Sequence, residues 1–248
     1  AEDDGWFQDG EPAPNPRTTV TSERARSVIS RNDSPDLPFD RSVNAYRGCE
    51  HGCFYCFARP SHSYLELSPG LDFETRLFAK DNAAEVLRAE LAKPGYRCAP
   101  IAMGTNTDPY QPVEKSRRIT RAIIELLAEC RHPFTLLTKN ALIERDLDLL
   151  APLAREGLVS VALSVTTLDN RLSARMEPRA SAPHARLRAI RSLSEAGVPT
   201  GLMFAPVIPA VNDHEMEAVL AAAREAGATR AGYVLLRLPH ELKDLARD

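Results

Sequence analysis

Short apolar runs alternate with amphipathic stretches along most of the chain. The apolar runs cover residues 42–46, 99–103, 134–138, 158–165, 201–207 and 231–236. Between them, apolar positions recur at helical spacing over residues 81–92, 115–130, 146–155, 182–196 and 213–226. Short apolar runs are typical of buried strands, and the intervening period is that of a helix packed on one face. The pattern therefore predicts repeated strand-helix-strand units, with right-handed crossovers and a parallel sheet.

Residues of particular types mark the predicted helix ends. Three glycines each follow a predicted helix and precede a predicted strand: Gly157, Gly197 and Gly227. At that position a glycine is expected to adopt the left-handed conformation of a C-cap. Asn212, followed three residues later by Glu215, predicts a capping box at the start of the fifth helix. A sixth helix is predicted to begin near Pro239.

The first 40 residues have a different character from the rest. Prolines lie at positions 12, 14, 16, 35 and 38, and apolar periodicity is weak. This predicts an extended, irregular arm over residues 1–40 that wraps the surface of a domain formed by residues 41–248. For that domain the parallel sheet leaves two architectures open. One is a (β/α) barrel, which needs eight units when complete, and the other is a doubly wound sheet, although no GxGxxG follows the first strand.

Composition narrows the class of protein. The chain has 248 residues, of which 44% are apolar and 26% charged, as in an ordinary globular domain. No run of 18 apolar residues occurs, and the acidic start lacks the basic and apolar regions of a signal peptide, so we expect no membrane association. The net charge of −3 provides no overall attraction for nucleic acid. Five cysteines, three of them clustered, indicate metal ligands in a reducing cytoplasm and not a disulfide framework.

The clustered cysteines lie in the segment YRGCEHGCFYCFARP, residues 46–60. Cys49, Cys53 and Cys56 are spaced C-x3-C-x2-C, so three thiolates on one loop can approach a single soft metal centre. Gly48 and Gly52 permit the tight turns that such an approach needs. Structural zinc sites have four ligands, whereas three cysteines leave one iron of a four-iron cluster without a protein ligand. A zinc site or a chance group of thiols is the alternative interpretation.

Polar residues lie where the predicted strands end, which is the edge of a parallel sheet that carries functional loops. Asp108, in the loop GTNTDPYQ after the second strand, can accept hydrogen bonds from a ligand ammonium, or belong to a plain turn. Lys139 ends the third strand and needs an anionic partner if it is buried, or extends its ammonium to solvent. Ser164 ends the fourth strand, and Glu177 precedes a helix start.

The cysteine loop closely resembles the signature of the radical S-adenosylmethionine (SAM) superfamily. From about Asn44 onward the chain also resembles the spore photoproduct lyase group of "DNA repair photolyase" proteins, through the cysteine loop, Thr107 with Asp108, Thr138 with Lys139, Ser164, and Glu177 with Pro178. The resemblance implies a parallel (β/α)6 partial barrel of the radical SAM type. It also implies a [4Fe-4S] cluster, SAM and an external one-electron donor such as flavodoxin or ferredoxin.

Specific roles follow from the resemblance. It implies that the three cysteines bind the cluster and that its open iron chelates SAM, whose reductive cleavage yields a 5'-deoxyadenosyl radical. It further implies that Lys139 contacts the SAM carboxylate, Thr107 and Asp108 lie at the amino group, Ser164 at the ribose, and the backbone of Tyr55 at the adenine. Transfer of another part of SAM is the alternative reaction.

One departure from the lyase concerns its substrate chemistry. In the lyase, a cysteine close before the position of Asp108 donates hydrogen to the product radical. Thr105 and Asn106 lie at the corresponding place here. We therefore expect a substrate different from that of the lyase.

The roles of two further sets of residues, a group of arginines and two isolated cysteines, are less closely defined by the sequence. Six arginines lie within 21 residues: Arg171, Arg175, Arg179, Arg186, Arg188 and Arg191. They form either a phosphate-binding face, with nucleic acid as the substrate, or a solvated helix paired with carboxylates. An arginine-rich nucleic-acid-binding module with a structural metal is accordingly a competing function. Cys98 and Cys130 are predicted to be structural thiols at the opposite end of the domain.

Overall fold

The computed structural model describes residues 17–239 and residue 243. Its strands are β1 (Thr19–Glu23), β2 (Ile29–Arg31), β3 (Arg41–Val43), β4 (Tyr46–Arg47), β5 (Arg76–Lys80), β6 (Ile101–Met103), β7 (Phe134–Thr138), β8 (Val159–Ser164), β9 (Thr200–Val207) and β10 (Arg230–Leu235). Its helices are α1 (Asp72–Thr75), α2 (Ala83–Leu91), α3 (Glu114–Arg117), α4 (Ile119–Glu129), α5 (Leu147–Arg155), α6 (Asn170–Met176), α7 (Pro183–Glu195) and α8 (Met216–Glu225). Short 3-10 helices cover Arg59–Leu65, Ala141–Asp146 and Asp213–Glu215.

The main sheet contains seven strands in the order β10, β9, β8, β7, β6, β3, β2. All neighbours from β3 to β10 are parallel, and β2 is added antiparallel at the edge. The parallel strands follow the chain order without reversal, as in a barrel, whereas a doubly wound sheet reverses its order at a switch point. The predicted parallel (β/α)6 partial barrel is confirmed, because six strands of this sheet are parallel and sequential.

The core forms between this sheet and the helices that connect its strands. On α4, the side chains of Ile123, Ile124 and Leu127 are fully buried, and on β7 the side chains of Phe134 and Leu136 are buried. The helical and alternating spacings of these residues are what the sequence pattern predicts. This packing brings the carboxyl ends of β6, β7, β8 and β9 together at one end of the barrel.

Residues 17–40 are more regular than the sequence predicts. Within the expected irregular arm, β2 pairs with β3 and β1 pairs with β5. Strands β1, β5 and β4 form a second, three-stranded sheet that apolar periodicity did not indicate. Most side chains of β1 and β2 are exposed or half-buried, so their pairing depends on backbone hydrogen bonds to neighbouring strands. The proposed boundary at residue 40 remains a prediction.

The predicted helix ends are partly confirmed. Gly157, Gly197 and Gly227 have φ of +70°, +79° and +102°, as C-cap glycines should. The predicted capping box is wrong, because the Asn212 side chain accepts a hydrogen bond from Ile208 N (2.7 Å) and donates to Thr166 O (2.8 Å). Tertiary contacts between the loops after β8 and β9 occupy this side chain in place of the helix N-terminus.

The predictions for the two isolated cysteines, the sixth helix and membrane spans have different outcomes. Cys98 and Cys130 lie before β6 and after α4, at the end opposite the polar strand ends, but both are exposed and not packed in a core. The predicted sixth helix lies outside the described residues except for Pro239 and Lys243. Among the helices that the structure describes, none is long and apolar enough to cross a bilayer.

Gly104 fixes the start of the loop after β6. A Cβ at this position would lie 2.0 Å from the carbonyl oxygen of Leu137, and φ is +92°. Gly95 also has a positive φ (+80°), but a Cβ there would meet open space. We expect Gly95→Ala to cost about 1–2 kcal/mol from the left-handed backbone alone, and Gly104→Ala to cost clearly more because β7 must move. If urea unfolding gave the same loss of unfolding free energy for both variants, β7 would move at no cost.

Candidate functional site

The cysteine loop follows β4 and is shaped by two glycines. Gly48 and Gly52 have φ of +77° and +68°, which confirms the predicted tight turns. A Cβ on Gly48 would lie 2.6 Å from the carbonyl oxygen of Phe73. Next to it, the backbone N–H of Cys49 donates to that same oxygen at 2.9 Å. Glycine is therefore required for the loop to approach α1 this closely.

Buried polar side chains hold the loop in place. The Arg59 guanidinium donates to the carbonyl oxygens of Cys53 (2.9 Å) and Gly70 (2.7 Å). From the loop after β6, Gln111 accepts from the backbone N–H of Glu50 (2.9 Å) and donates to the carbonyl oxygen of Gly48 (3.1 Å). Arg59 and Gln111 are both buried, and nothing in their local sequence indicated this role.

The three thiols are in an environment that disfavours bare thiolates. Cys49 and Cys53 are buried and Cys56 is half-buried. Burial raises the pKa of Cys53 to about 12 and raises those of Cys49 and Cys56. Thiolates here consequently need a cationic partner, which iron supplies. The residues therefore fit a cysteine-bound iron-sulfur cluster.

The arrangement differs from a site for a single ion. Among residues 17–239 and 243, no three His, Cys, Asp or Glu side chains surround one position suitable for a metal ion. The assignment of Cys49, Cys53 and Cys56 as the ligands of one [4Fe-4S] cluster remains a prediction. In a four-iron cluster each thiolate binds a different iron, so its ligands need not surround one position.

Lys139 directly follows β7, and its side chain crosses to the end of β8. The Lys139 ammonium donates to Ser164 Oγ at 2.7 Å and lies 3.7 Å from Glu177 Oε1. It also lies 5.8 Å from the centroid of the Tyr55 ring. The ammonium thus lies at the mouth of the barrel beside the cysteine loop and does not extend to solvent.

Asp108 is already engaged by protein groups. Its carboxylate accepts hydrogen bonds from Thr138 Oγ1 (2.7 Å), the backbone N–H of Lys139 (2.8 Å) and that of Tyr110 (2.8 Å). The Nδ1 atom of His51, in the cysteine loop, lies 3.4 Å from the second carboxylate oxygen. Burial lowers the pKa of His51, which favours the neutral ring at this contact. Asp108 therefore connects the ends of β6 and β7 to the cysteine loop.

The neighbouring Thr107 is also engaged within the protein. This buried residue donates its backbone N–H to Asn44 Oδ1 at 3.3 Å, and its hydroxyl contacts the carbonyl oxygen of Tyr46 at 3.4 Å. The contacts predicted between Thr107, Asp108 and a ligand amino group remain predictions.

A buried ion pair between Glu177 and Arg186 lies beneath Lys139. The Glu177 carboxylate pairs with the Arg186 guanidinium and accepts hydrogen bonds from the Tyr55 hydroxyl and, at 3.0 Å, Thr166 Oγ1. Arg186 also donates to the carbonyl oxygen of Ser164 at 2.9 Å. Burial alone would raise the pKa of Glu177, but Arg186 and then Lys139 outweigh it and lower it to about 2.

The six arginines of residues 171–191 therefore lie in different environments. Arg186 is fully buried, so it belongs neither to an exposed phosphate-binding face nor to a solvated helix face, the two alternatives that the sequence left open. Arg179 pairs with Glu74 and donates to the carbonyl oxygen of Glu50, and Arg188 lies 3.4 Å from Glu144. A sequence signal for Arg186 did exist, since Ala189, Ile190 and Leu193 follow it at helical spacing and define the buried face of α7.

The Glu177 pair provides a test of stability. The pKa of Glu177 falls from about 4.3 in the unfolded chain to about 2 in the folded protein, which corresponds to about 3 kcal/mol of stability. Because the folded-state pKa is the lower one, this contribution is present above about pH 5 and is lost as the pH falls toward 2. We expect Glu177→Gln to lower the free energy of unfolding by about 3 kcal/mol at pH 7, leaving a buried guanidinium without its carboxylate.

Denaturant unfolding of wild type, Glu177→Gln and the exposed control Glu217→Gln measures this contribution. The unfolding free energy of Glu177→Gln is expected to lie below that of wild type, and this difference should become smaller as the pH falls from 5 to 3. The control should match wild type at every pH. A deficit independent of pH would contradict a lowered pKa of Glu177.

Comparison with known proteins defines the class to which this site belongs. Residues 43–223 match the profile described as "Radical SAM superfamily". The chain belongs to the radical SAM superfamily. It is accordingly an enzyme of that superfamily, whose members use an iron-sulfur cluster and SAM and need an electron donor.

Solved structures of spore photoproduct lyase share the fold. One variant "with bound AdoMet and dinucleoside spore photoproduct" has a TM-score of 0.65 and 15% sequence identity, over 91% of this chain and 64% of the lyase. A lyase "complexed with dinucleoside spore photoproduct" has a TM-score of 0.64 and 17% identity, over the same shares of the two chains. At these identities the likeness shows the fold alone.

Similar sequences occur in bacteria and archaea. An uncharacterized protein of Mycobacterium bovis is 44% identical over 195 residues, which are 78% of this chain and 57% of the relative. An uncharacterized protein of Methanocaldococcus jannaschii is 25% identical over 201 residues, which are 81% of this chain and 72% of the relative. The chain thus spans less than two thirds of the length of the mycobacterial relative.

Proposed function

We propose that this protein cleaves SAM reductively and uses the resulting radical to abstract hydrogen from a bound substrate. The observation that carries the proposal is the position of the Lys139 ammonium, which lies at the barrel mouth beside the loop of Cys49, Cys53 and Cys56. A cluster held by these cysteines would supply the electron that converts SAM to methionine and a 5'-deoxyadenosyl radical.

The residues of the mouth have distinct proposed roles in binding SAM. An ammonium has three N–H donors, and Ser164 Oγ at 2.7 Å and Ala205 O at 3.5 Å take two of them. The third is free to bind the SAM carboxylate. Asp108 holds the backbone of Lys139 and, with Thr107, faces the amino group. Ser164 binds the ribose, and the backbone of Tyr55 binds the adenine.

The Glu177–Arg186 pair supports this arrangement from below. Glu177 carries a negative charge at neutral pH, because its pKa is about 2. Its carboxylate lies 3.7 Å from the Lys139 ammonium and attracts it, and its hydrogen bond with the Tyr55 hydroxyl fixes the ring of this residue of the cysteine loop. We propose that the pair positions Lys139 and Tyr55 and does not itself react.

Nucleic acid is the substrate class that we propose to test first, because the lyase with a similar fold binds a dinucleoside. Thr105 and Asn106, where the lyase has its hydrogen-donating cysteine, support a reaction outcome different from that of the lyase.

The reaction type can be tested without the substrate. The protein is reconstituted anaerobically with iron and sulfide, reduced with dithionite and incubated with SAM, and the products are separated by chromatography. Formation of 5'-deoxyadenosine supports the proposal. Methylthioadenosine as the product would show transfer of another part of SAM, and a colourless protein that retains zinc and leaves SAM intact would favour a structural metal.

A further inference from the structure

A cavity lies at the rim of the barrel mouth, between α6 and the segment that follows β9. Its volume is about 290 Å³, and its lining includes Arg171, Leu172 and Arg175 from α6 and His214 from the 3-10 helix Asp213–Glu215. The two arginines are four residues apart, so both side chains lie on the same face of α6. The cavity therefore exposes two guanidinium groups and an imidazole within a small volume.

The acidic residues around this cavity have other partners. The Asp169 carboxylate accepts from the backbone N–H of Arg171 at 2.7 Å and caps α6. Glu215 accepts from Thr167 Oγ1 at 2.6 Å and from the backbone N–H of Leu168 at 2.8 Å. Among residues 17–239 and 243, no carboxylate lies within ion-pair distance of Arg171 or Arg175. Both guanidiniums are available to an anionic ligand.

The cavity is connected to the candidate active site through Leu172. This residue lines the cavity, and it also packs against the apolar group formed by Cys53, Tyr55 and Met176. Glu177, whose carboxylate lies under Lys139, follows α6 directly. Because α6 has seven residues and a length of about 10 Å, one substrate can reach both the barrel mouth and this cavity.

We infer that Arg171, Arg175 and His214 form a subsite that binds a phosphate group of the substrate. Phosphate oxygens accept charge-assisted hydrogen bonds from guanidinium groups, which bind them better than any neutral donor does. The inference rests on the proposed function, since the subsite holds one end of a molecule whose other end reacts in the barrel mouth. It also assigns phosphate recognition to two arginines of α6, and the buried Arg186 of α7 takes no part in that recognition.

Binding of two probes to the reconstituted protein tests this subsite. Inorganic pyrophosphate, measured by calorimetry, represents a small phosphorylated substrate. A fluorescein-labelled single-stranded octathymidylate, measured by anisotropy over a series of salt concentrations, represents a nucleic-acid strand. The test variant is Arg171→Gln with Arg175→Gln. The matched control, Arg188→Gln with Arg191→Gln, removes the same charge from exposed arginines of α7.

The expected result is specific to the α6 variant. Pyrophosphate affinity should fall about tenfold or more, or the slope of log affinity against log salt for the strand should fall by about 1.4, which is about 0.7 for each lost phosphate contact. If only the pyrophosphate affinity of the α6 variant falls, the substrate is a small phosphorylated molecule. If the salt slope for the strand falls, the substrate is a nucleic-acid strand. Either result supports the subsite. The inference is overturned if wild type binds neither probe or if both double variants lose equal affinity.

A separate measurement distinguishes failure of the subsite from failure of the proposed function. SAM cleavage by wild type and by the α7 control is assayed in the same preparations. Wild type that binds a probe through Arg171 and Arg175 but leaves SAM intact would refute the proposed reaction and retain the subsite. Wild type that forms 5'-deoxyadenosine but binds both probes independently of these arginines would retain the reaction and refute the subsite.

Discussion

Replacing Cys49, Cys53 and Cys56 together with alanine should reduce bound iron from about four atoms per chain to almost none, and should abolish SAM cleavage. The three thiols are the cysteines that the structure places in the loop at the barrel mouth. Their removal takes away all the protein ligands that we assign to the cluster. Iron and sulfide analysis after anaerobic reconstitution, together with the visible absorption spectrum, measures the loss.

The chain contains a matched control for this experiment. Cys98 and Cys130 are exposed at the opposite end of the barrel, so Cys98→Ala with Cys130→Ala removes thiols without approaching the loop. This control should keep its iron and its absorbance. Loss of iron in the control, or about four irons retained in the triple variant, would show that the ligands are assigned to the wrong cysteines.

Replacing Lys139 with alanine should weaken SAM binding by about ten-fold to a hundred-fold and leave the iron content unchanged. A charge-assisted hydrogen bond contributes about 1.5–3 kcal/mol, which corresponds to that range of affinity. The cysteine loop is held by Arg59 and Gln111 and makes no hydrogen bond to the Lys139 side chain among the described residues, so cluster assembly should not depend on the lysine. Equilibrium binding of SAM to the reconstituted protein gives the affinity.

Lys115 supplies the control for this loss of charge. It is exposed on α3, and Lys115→Ala removes the same charge from an exposed surface position. Its SAM affinity should match that of wild type. If Lys139→Ala bound SAM as tightly as wild type does, the ammonium would serve only the internal contacts with Ser164 and Glu177, and another residue would have to bind the carboxylate.

The sequence alone determined the parts of this protein that depend on local pattern. The strand Phe134–Thr138 was predicted to the residue, because this short apolar run is bounded by Pro133 on one side and Lys139 on the other. The glycines of the cysteine loop and the C-cap glycines were also predicted, since a positive φ is a property of single residues. The cysteine spacing is likewise local, and it indicated the superfamily that the profile match shows.

Two strands have no strong apolar pattern, so the sequence did not predict them. β1 and β2 are mostly exposed, and they form because β5 and β3 present free edges to them. Such pairing depends on backbone groups, which every residue carries, and not on the order of apolar side chains. For that reason Thr19–Glu23 and Ile29–Arg31 are regular where the sequence predicted an irregular arm.

Tertiary structure alone decided the partners of the charged residues. Tyr55 and Glu177 are 122 residues apart in sequence and become hydrogen-bonded because β8 and α6 bring the C-terminal end of α6 to the cysteine loop. The same packing buries Arg186 against Glu177, pairs Arg188 with Glu144 and leaves Arg171 and Arg175 open to the cavity beside α6. Sequence pattern reports which face of an element is apolar, whereas the partner of a buried charge depends on the register and order of strands distant in the chain.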